Sequence, residues 1–126
     1  MKFLSYNIQY GKGQDGEFNL YRIAETVKEA DVVCIQEIEK FWQRSGFVDQ
    51  AQILSEFLPK FYSVYGPALD MNASLKNEYG QISNRRRQFG NMILSRYPLY
   101  LQEISLYQNR ELVQYMQFTE VCWRQL

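Results

Sequence analysis

Asn7 and Glu37 are the two side chains whose type and placement suit them to holding a hard cation. Each closes an apolar, strand-like run. Asn7 ends Lys2-Phe3-Leu4-Ser5-Tyr6, and Glu37 ends Asp31-Val32-Val33-Cys34-Ile35-Gln36. Magnesium takes oxygen ligands and needs only one or two carboxylates from a protein. An amide oxygen and a carboxylate at the same ends of two strands therefore read as half of a metal site. Ligands of open α/β sheets collect at the carboxyl ends of strands, so an ion held there would serve a phosphate ester. Each residue also has an ordinary reading. Glu37 serves equally as a solvated strand-end carboxylate, since burying a lone charge is costly. Asn7 serves as a turn cap. Gln36 is either a hydrogen-bond partner of the site or a plain strand residue.

The elements that must position these residues follow from periodicity. Residues 2–8 predict a buried strand, and Gly11, Gly13, Gln14, Asp15 and Gly16 a turn-rich loop. Asn19 is a candidate N-cap for a helix over 20–30, whose Leu20, Ile23, Ala24, Val27 and Ala30 share one face. Asp31 opens a strand over 31–38, and its Val-Val-Cys-Ile core predicts burial on both faces. Together these make a βαβ unit. A loop at 39–47 leads to a helix over 48–58 with Ala51, Leu54 and Leu58 inward, ended by Pro59. Further strands are expected at 61–65, 89–97 and 99–106. The polar stretch 68–87 reads as one long loop, a feature usually functional or mobile. From Gln108 to Leu126 the apolar residues fit neither a strand nor a helix period.

At 126 residues, 46% hydrophobic, the chain is long enough for one domain with its own core. Its ten Tyr, eight Phe and two Trp favour strands. Fourteen basic and fourteen acidic side chains give zero net charge, which argues against a general DNA binder, since such proteins carry a basic footprint. Two cysteines make neither a disulfide framework nor a zinc spacing. Cys34, inside an apolar strand, reads as a small buried hydrophobe. With no leader-like apolar segment at the start and no membrane span, the expected location is cytoplasmic. The one basic run, Arg85-Arg86-Arg87, reads as a solvated loop or, at Arg85 and Arg87, as a grip on substrate phosphate. Phe41 and Trp42 either pack locally or stack on a base or lipid.

Three blocks in order, Ser5-Tyr6-Asn7-Ile8, Ile35-Gln36-Glu37 and Gly90-Asn91-Met92-Ile93-Leu94-Ser95-Arg96, resemble the endonuclease/exonuclease/phosphatase (deoxyribonuclease I-like) superfamily. The first two are weak signals singly; with the third they are specific. The resemblance runs over residues 1–110, as the N-terminal portion of such a domain. Residues 111–126 are unmatched and leave open a truncated or frame-shifted reading frame, or an atypical final strand. The resemblance implies an α/β fold, the first half of a four-layer α/β/β/α sandwich with a mixed sheet. It implies Glu37 as the primary ligand of Mg2+ (or Mn2+), Asn7 as a metal- or phosphate-contacting residue, and Asn91 near the active site beside the Glu or the substrate.

The family's later motifs, a Thr-His-Leu strand, a Gly-Asp-x-Asn turn and a terminal Ser-Asp-His, have no counterpart here, and the chain contains no histidine. The expected function is therefore the N-terminal part of a metal-dependent phosphoesterase, of nuclease or phosphatase type, inactive as this isolated chain. The alternative is a non-catalytic binding module that kept the scaffold and lost the His/Asp half. Expected partners are a phosphate-ester substrate, nucleic acid among the candidates. A half-sandwich also predicts a homo-oligomer, or a second polypeptide that supplies the missing half.

Overall fold

The computed structural model describes residues 1–99; the expected strand at 99–106, apart from its first residue, and the tail 111–126 lie outside them. The elements are β1 (Phe3–Asn7), α1 (Leu20–Val27), β2 (Val32–Lys40), α2 (Gln50–Phe57), β3 (Tyr62–Asn72), β4 (Leu75–Lys76), β5 (Ile82–Ser83) and β6 (Arg86–Ser95). Four strands form one sheet in the order β1-β2-β6-β3. β1 and β2 run parallel, joined by α1, and both pairings of β6 are antiparallel. The sheet is mixed and the class is α/β, as the sequence predicts.

Both helices begin where a side chain satisfies a free backbone donor. Asn19 Oδ1 accepts from the Arg22 N–H at 3.0 Å, so α1 starts at Leu20. Asp49 Oδ1 accepts from the Gln52 N–H at 2.9 Å, so α2 starts at Gln50, two residues later than periodicity alone places it. Ile23, Ala24 and Val27 of α1, Ala51 and Leu54 of α2, and Leu58 just beyond bury against Val33, Ile35, Ile38, Met92 and Leu94 of the sheet. Full burial of each Val, Ile, Leu or Met among them contributes roughly 1.5–3 kcal/mol. Burial on both faces of β2 is not what the structure has. Val33 and Ile35 lie under the helices, whereas Val32 and Cys34, pointing the other way, are only half-buried.

The sheet is irregular where the site lies. β2 pairs Ile35 with Met92 and then Ile38 with Gly90, so Gln36 and Glu37 together oppose Asn91. This bulge changes the phase of the strand, which is how Val33, Ile35 and Ile38 all reach the same core. On the other side of β6, β3 pairs Pro67 with Gly90 and Leu69 with Phe89, leaving Ala68 as a second extra residue. Gly90 lies between the two bulges. A Cβ there would sit 2.1 Å from the Gly66 carbonyl oxygen and 2.8 Å from Pro67 Cα, both backbone atoms that cannot swing aside.

The stretch 68–87 is not a loop. β3 continues to Asn72 and β6 starts at Arg86, and their pairing extends through Asp70, Met71 and Asn72 opposite Gln88, Arg87 and Arg86. β4 and β5 then form a small hairpin of their own. The error has a physical cause. A two-stranded arm wetted on both faces needs no apolar alternation, and cross-strand polar pairs such as Arg86 Nε to Asp70 Oδ1 at 2.7 Å support it.

Gly90→Ala is expected to destabilise the protein by about 3 kcal/mol, the upper end for overpacking. Gly16→Ala, where nothing lies within 4 Å of the added methyl, should cost only the left-handed backbone penalty of about 1 kcal/mol. Urea unfolding midpoints of the two variants test the difference.

Candidate functional site

Glu37 owes its orientation to the bulge. It sits at φ 60 in the left-handed region, where a non-glycine side chain is uncommon. The parallel register places Asn7 opposite Gln36, one residue away. Asn7 Nδ2 donates to Glu37 Oε1 at 2.9 Å, and the Gln9 N–H donates to Asn7 Oδ1 at 3.0 Å. The sequence-predicted pair is thus brought together, and it is the amide NH2 that meets the carboxylate. The second carboxylate oxygen, Oε2, has no hydrogen-bond partner among the described residues. Gln36 donates to Ser5 Oγ and to the Cys34 carbonyl, both at 3.0 Å, which pins the parallel strands together just before the bulge.

A buried carboxylate two residues on escaped the sequence reading. Glu39 is fully buried. Its Oε2 accepts from Ser45 Oγ at 2.7 Å, its Oε1 from Arg44 Nε at 2.7 Å and also from Arg44 Nη2. Its backbone N–H donates to Gln50 Oε1 at 2.9 Å, and Gln50 Nε2 donates to the Tyr10 carbonyl at 2.7 Å. The Glu39 carboxylate therefore ties β2 to the 42–45 turn, and its backbone N–H, through Gln50, ties β2 to α2 and the turn after β1. The hydrogen bond to Glu39 holds the Arg44 guanidinium above its ordinary pKa, with smaller contributions from Tyr10 and Glu37. Arg44 stacks 3.9 Å from the Tyr10 ring centroid and 5.4 Å from that of Trp42. The missed signal was a Glu five and six residues before an Arg-Ser pair, in a loop bounded by aromatic residues.

The other predicted residues are distributed unevenly. Asn91 lies directly across the bulge from Gln36 and Glu37, half-buried, and makes no side-chain hydrogen bond among the described residues. Arg87 is four residues further along β6, about 13 Å at strand spacing. It packs over Trp42 at 4.5 Å, and its buried Nε has no hydrogen-bond partner among the described residues. Arg85 is exposed, held through its backbone N–H to Ser74 Oγ at 3.1 Å. The two arginines thus belong to the arm and not to the Glu37 pair. Trp42 donates from Nε1 to the Gln88 carbonyl at 2.7 Å, which fixes it between loop and arm. The carboxylate of Asp15, in the loop after β1, is committed elsewhere. Arg22 and the Glu17 N–H bind both its oxygens, and the Arg22 hydrogen bond brings its pKa down to about 2.

Backbone strain concentrates here. The non-glycine residues with positive φ among the described residues are Gln9, Tyr10, Glu37, Phe41 and Phe47. All lie in the turn after β1, the bulge, or the loop after β2. Residues in sparsely populated regions persist where the surroundings over-determine them, and they cluster at functional sites.

As a metal site the arrangement fits one corner only. Among the described residues no group of three or more His, Cys, Asp or Glu side chains converges. Among the described residues Glu37 offers one carboxylate oxygen without a hydrogen bond; a hard cation there would have to complete its shell with waters. No helix among the described residues is long and apolar enough to cross a membrane.

The model of the Endonuclease/Exonuclease/phosphatase family matches residues 4–121. Among solved structures, the chain is similar to an endonuclease/exonuclease/phosphatase from Beutenbergia cavernae, at 23% identity and a TM-score of 0.55. The likeness covers 79% of this chain and 27% of that one, so the chain spans about a quarter of that neighbour's length. No curated protein matches.

The Glu39 hub generates a stability prediction. Arg44→Leu should destabilise by about 2 kcal/mol, below the usual loss for a wholly buried pair because Arg44 itself is half-exposed. Arg85→Leu, with no ion pair among the described residues, should change stability by less than about 0.5 kcal/mol. Equal midpoints in urea would show that the hub contributes nothing to stability.

Proposed function

Because the chain belongs to the Endonuclease/Exonuclease/phosphatase family, we propose that it is the N-terminal part of a divalent-metal-dependent phosphoesterase whose cation-binding carboxylate is Glu37. The family makes the scaffold that of a nuclease/phosphatase-type hydrolase. The observation that carries the reading further is the bulge. It takes Glu37 out of strand phase and turns one oxygen onto Asn7, while the other has no hydrogen-bond partner among the described residues.

Each residue then has a task set by its contacts. Asn7 orients Glu37 through Nδ2, and its Oδ1 reaches an ion only by giving up the Gln9 N–H. Asn91, half-buried across the bulge, presents an amide able to donate to the Glu or to a phosphoryl oxygen. Ser5 and Gln36 hold β1 against β2, so that Asn7 and Glu37 keep their spacing. An ion bound at Glu37 supplies Lewis-acid polarisation of a phosphoryl oxygen and charge compensation for the leaving group. What these 126 residues do not supply is a histidine base. General acid–base assistance is worth about 10²–10⁴ in rate.

In a second reading the same scaffold serves as a binding module without turnover. The two separate experimentally. In the first reading, manganese broadens the amide resonances around Glu37 and Asn7 first, at millimolar concentration or above, an estimate drawn from the small number of protein ligands. Glu37→Gln abolishes that pattern. Broadening centred on Asp15–Glu17, or spread evenly over surface carboxylates, would falsify the assignment. The chain is expected to turn over neither phosphodiester nor phosphomonoester substrates at a useful rate. Magnesium-dependent turnover lost in Glu37→Gln would mean that no histidine is needed.

A further inference from the structure

The loop after β2 and the β3–β6 arm enclose an open cleft of about 940 Å³. Its lining carries four basic residues, Lys40, Arg85, Arg86 and Arg87, and one acidic residue, Asp49, in a chain with no net charge. Lys40 pairs with Asp49 at 3.3 Å and Arg86 with Asp70 at 2.7 Å. Arg85 and Arg87 have no carboxylate partner among the described residues. The Trp42 ring props Arg87 from one side, and the Arg87 Nε has no acceptor among the described residues. A guanidinium fork held this way is suited to phosphate oxygens.

Two phenylalanines complete the lining. Phe41 is 46% exposed and Phe47 55% exposed, and both are held in the left-handed region, at φ 61 and 58. A bulky side chain in that region is a genuine outlier. Neither ring belongs to the core cluster, so core packing does not account for the strain. Exposed aromatic faces beside unpaired guanidinium groups form the surface on which unpaired bases stack while their backbone is neutralised. A duplex hides its base faces; a single strand offers them.

We propose that this cleft binds a single-stranded polynucleotide, with bases stacked on Phe41 and Phe47 and phosphates on Arg85 and Arg87. The inference rests on the phosphoesterase reading only in making the strand a substrate. Phe41 follows Glu37 by four residues on the same run of chain, so the two are at most about 13 Å apart. Glu37 does not line the cleft, so only a strand that continues beyond it along β2 would bring a phosphate to the carboxylate.

The test is fluorescence anisotropy of a labelled fifteen-residue oligothymidylate with the whole chain, in EDTA and at low salt. Omitting metal keeps the two readings apart. Loss of oligonucleotide binding leaves manganese binding at Glu37 standing, and the reverse also holds. Saturable binding is expected, weakened about tenfold or more in the Phe41→Ala/Phe47→Ala double variant. In Arg85→Gln/Arg87→Gln the salt slope should fall by about 1.4, that is 0.7 for each of two phosphates. Circular dichroism checks that each variant folds, and Phe47→Leu, which keeps the apolar bulk and loses the ring, serves if the double variant does not. Three outcomes overturn the proposal: no binding, binding indifferent to the rings, or preference for a duplex of the same length. Binding to phosphatidylserine vesicles without oligonucleotide binding also overturns it and assigns the cleft to a lipid surface.

Discussion

One extra residue in β2 is the constraint on which the rest depends. Val33 and Ile35 face the helices by strict alternation, and the next core residue in that phase would be Glu37. A carboxylate under α1 and α2 would have no partner there, at a cost of several kcal/mol. Bulging at Gln36–Glu37 moves Ile38 into the core instead and sends the acid to the edge that Asn7 occupies. The same backbone irregularity therefore fixes both the burial of Ile38 and the orientation of Glu37. Next to this bulge, on its other side, β6 passes so close to β3 that only a glycine fits at position 90.

The irregular backbone needs an anchor, and Glu39 provides it. Gln9, Tyr10, Phe41 and Phe47 all have positive φ, and all flank elements that Glu39 joins directly or through Gln50. A buried carboxylate contributes little net stability as an ion pair, but leaving it unpartnered is expensive. That asymmetry suits it to specifying geometry. Any rearrangement of the 42–45 turn strips Glu39 of Arg44 and Ser45 together. The strained turns are held by the cost of the alternative more than by the strength of any one bond.

Much of the scaffold was legible in the sequence, and the reasons are local. Asn19 capped its helix because Asn before an apolar-periodic run seldom does anything else. Ala51, Leu54 and Leu58 packed inward because their spacing left one stripe to bury. The Asn7–Glu37 pairing followed from two strand ends joined by one helix. What failed depended on partners distant in sequence. The arm at 68–87 is polar because both faces are wet, so no periodicity betrays its pairing. Glu39 resembled one more strand-end charge, and nothing nearby disclosed that Ser45 and Gln50 would enclose it. The bulge was invisible because the strand whose register reveals it, with Asn91 opposite Gln36 and Glu37, lies more than fifty residues away.

The position of the basic run follows from the same geometry. Arg85, Arg86 and Arg87 begin β6, the strand that later carries Asn91 past the bulge. β2 runs the opposite way, from Glu37 out to Lys40 and Phe41. Antiparallel pairing therefore lays a carboxylate-to-cation gradient along the two strands, with Glu37 and Asn91 at one end and the arginines at the other. Zero net charge conceals this, because the acidic residues that balance the sum lie mostly elsewhere. Such a gradient has consequences for a polyanion. Its phosphates would be drawn to Arg85 and Arg87, which have no carboxylate partner among the described residues, and would be repelled by Glu37 unless a cation sat there. Occupancy of the carboxylate by a divalent ion would thus decide whether a strand held at the arm extends to the bulge or stops short of it.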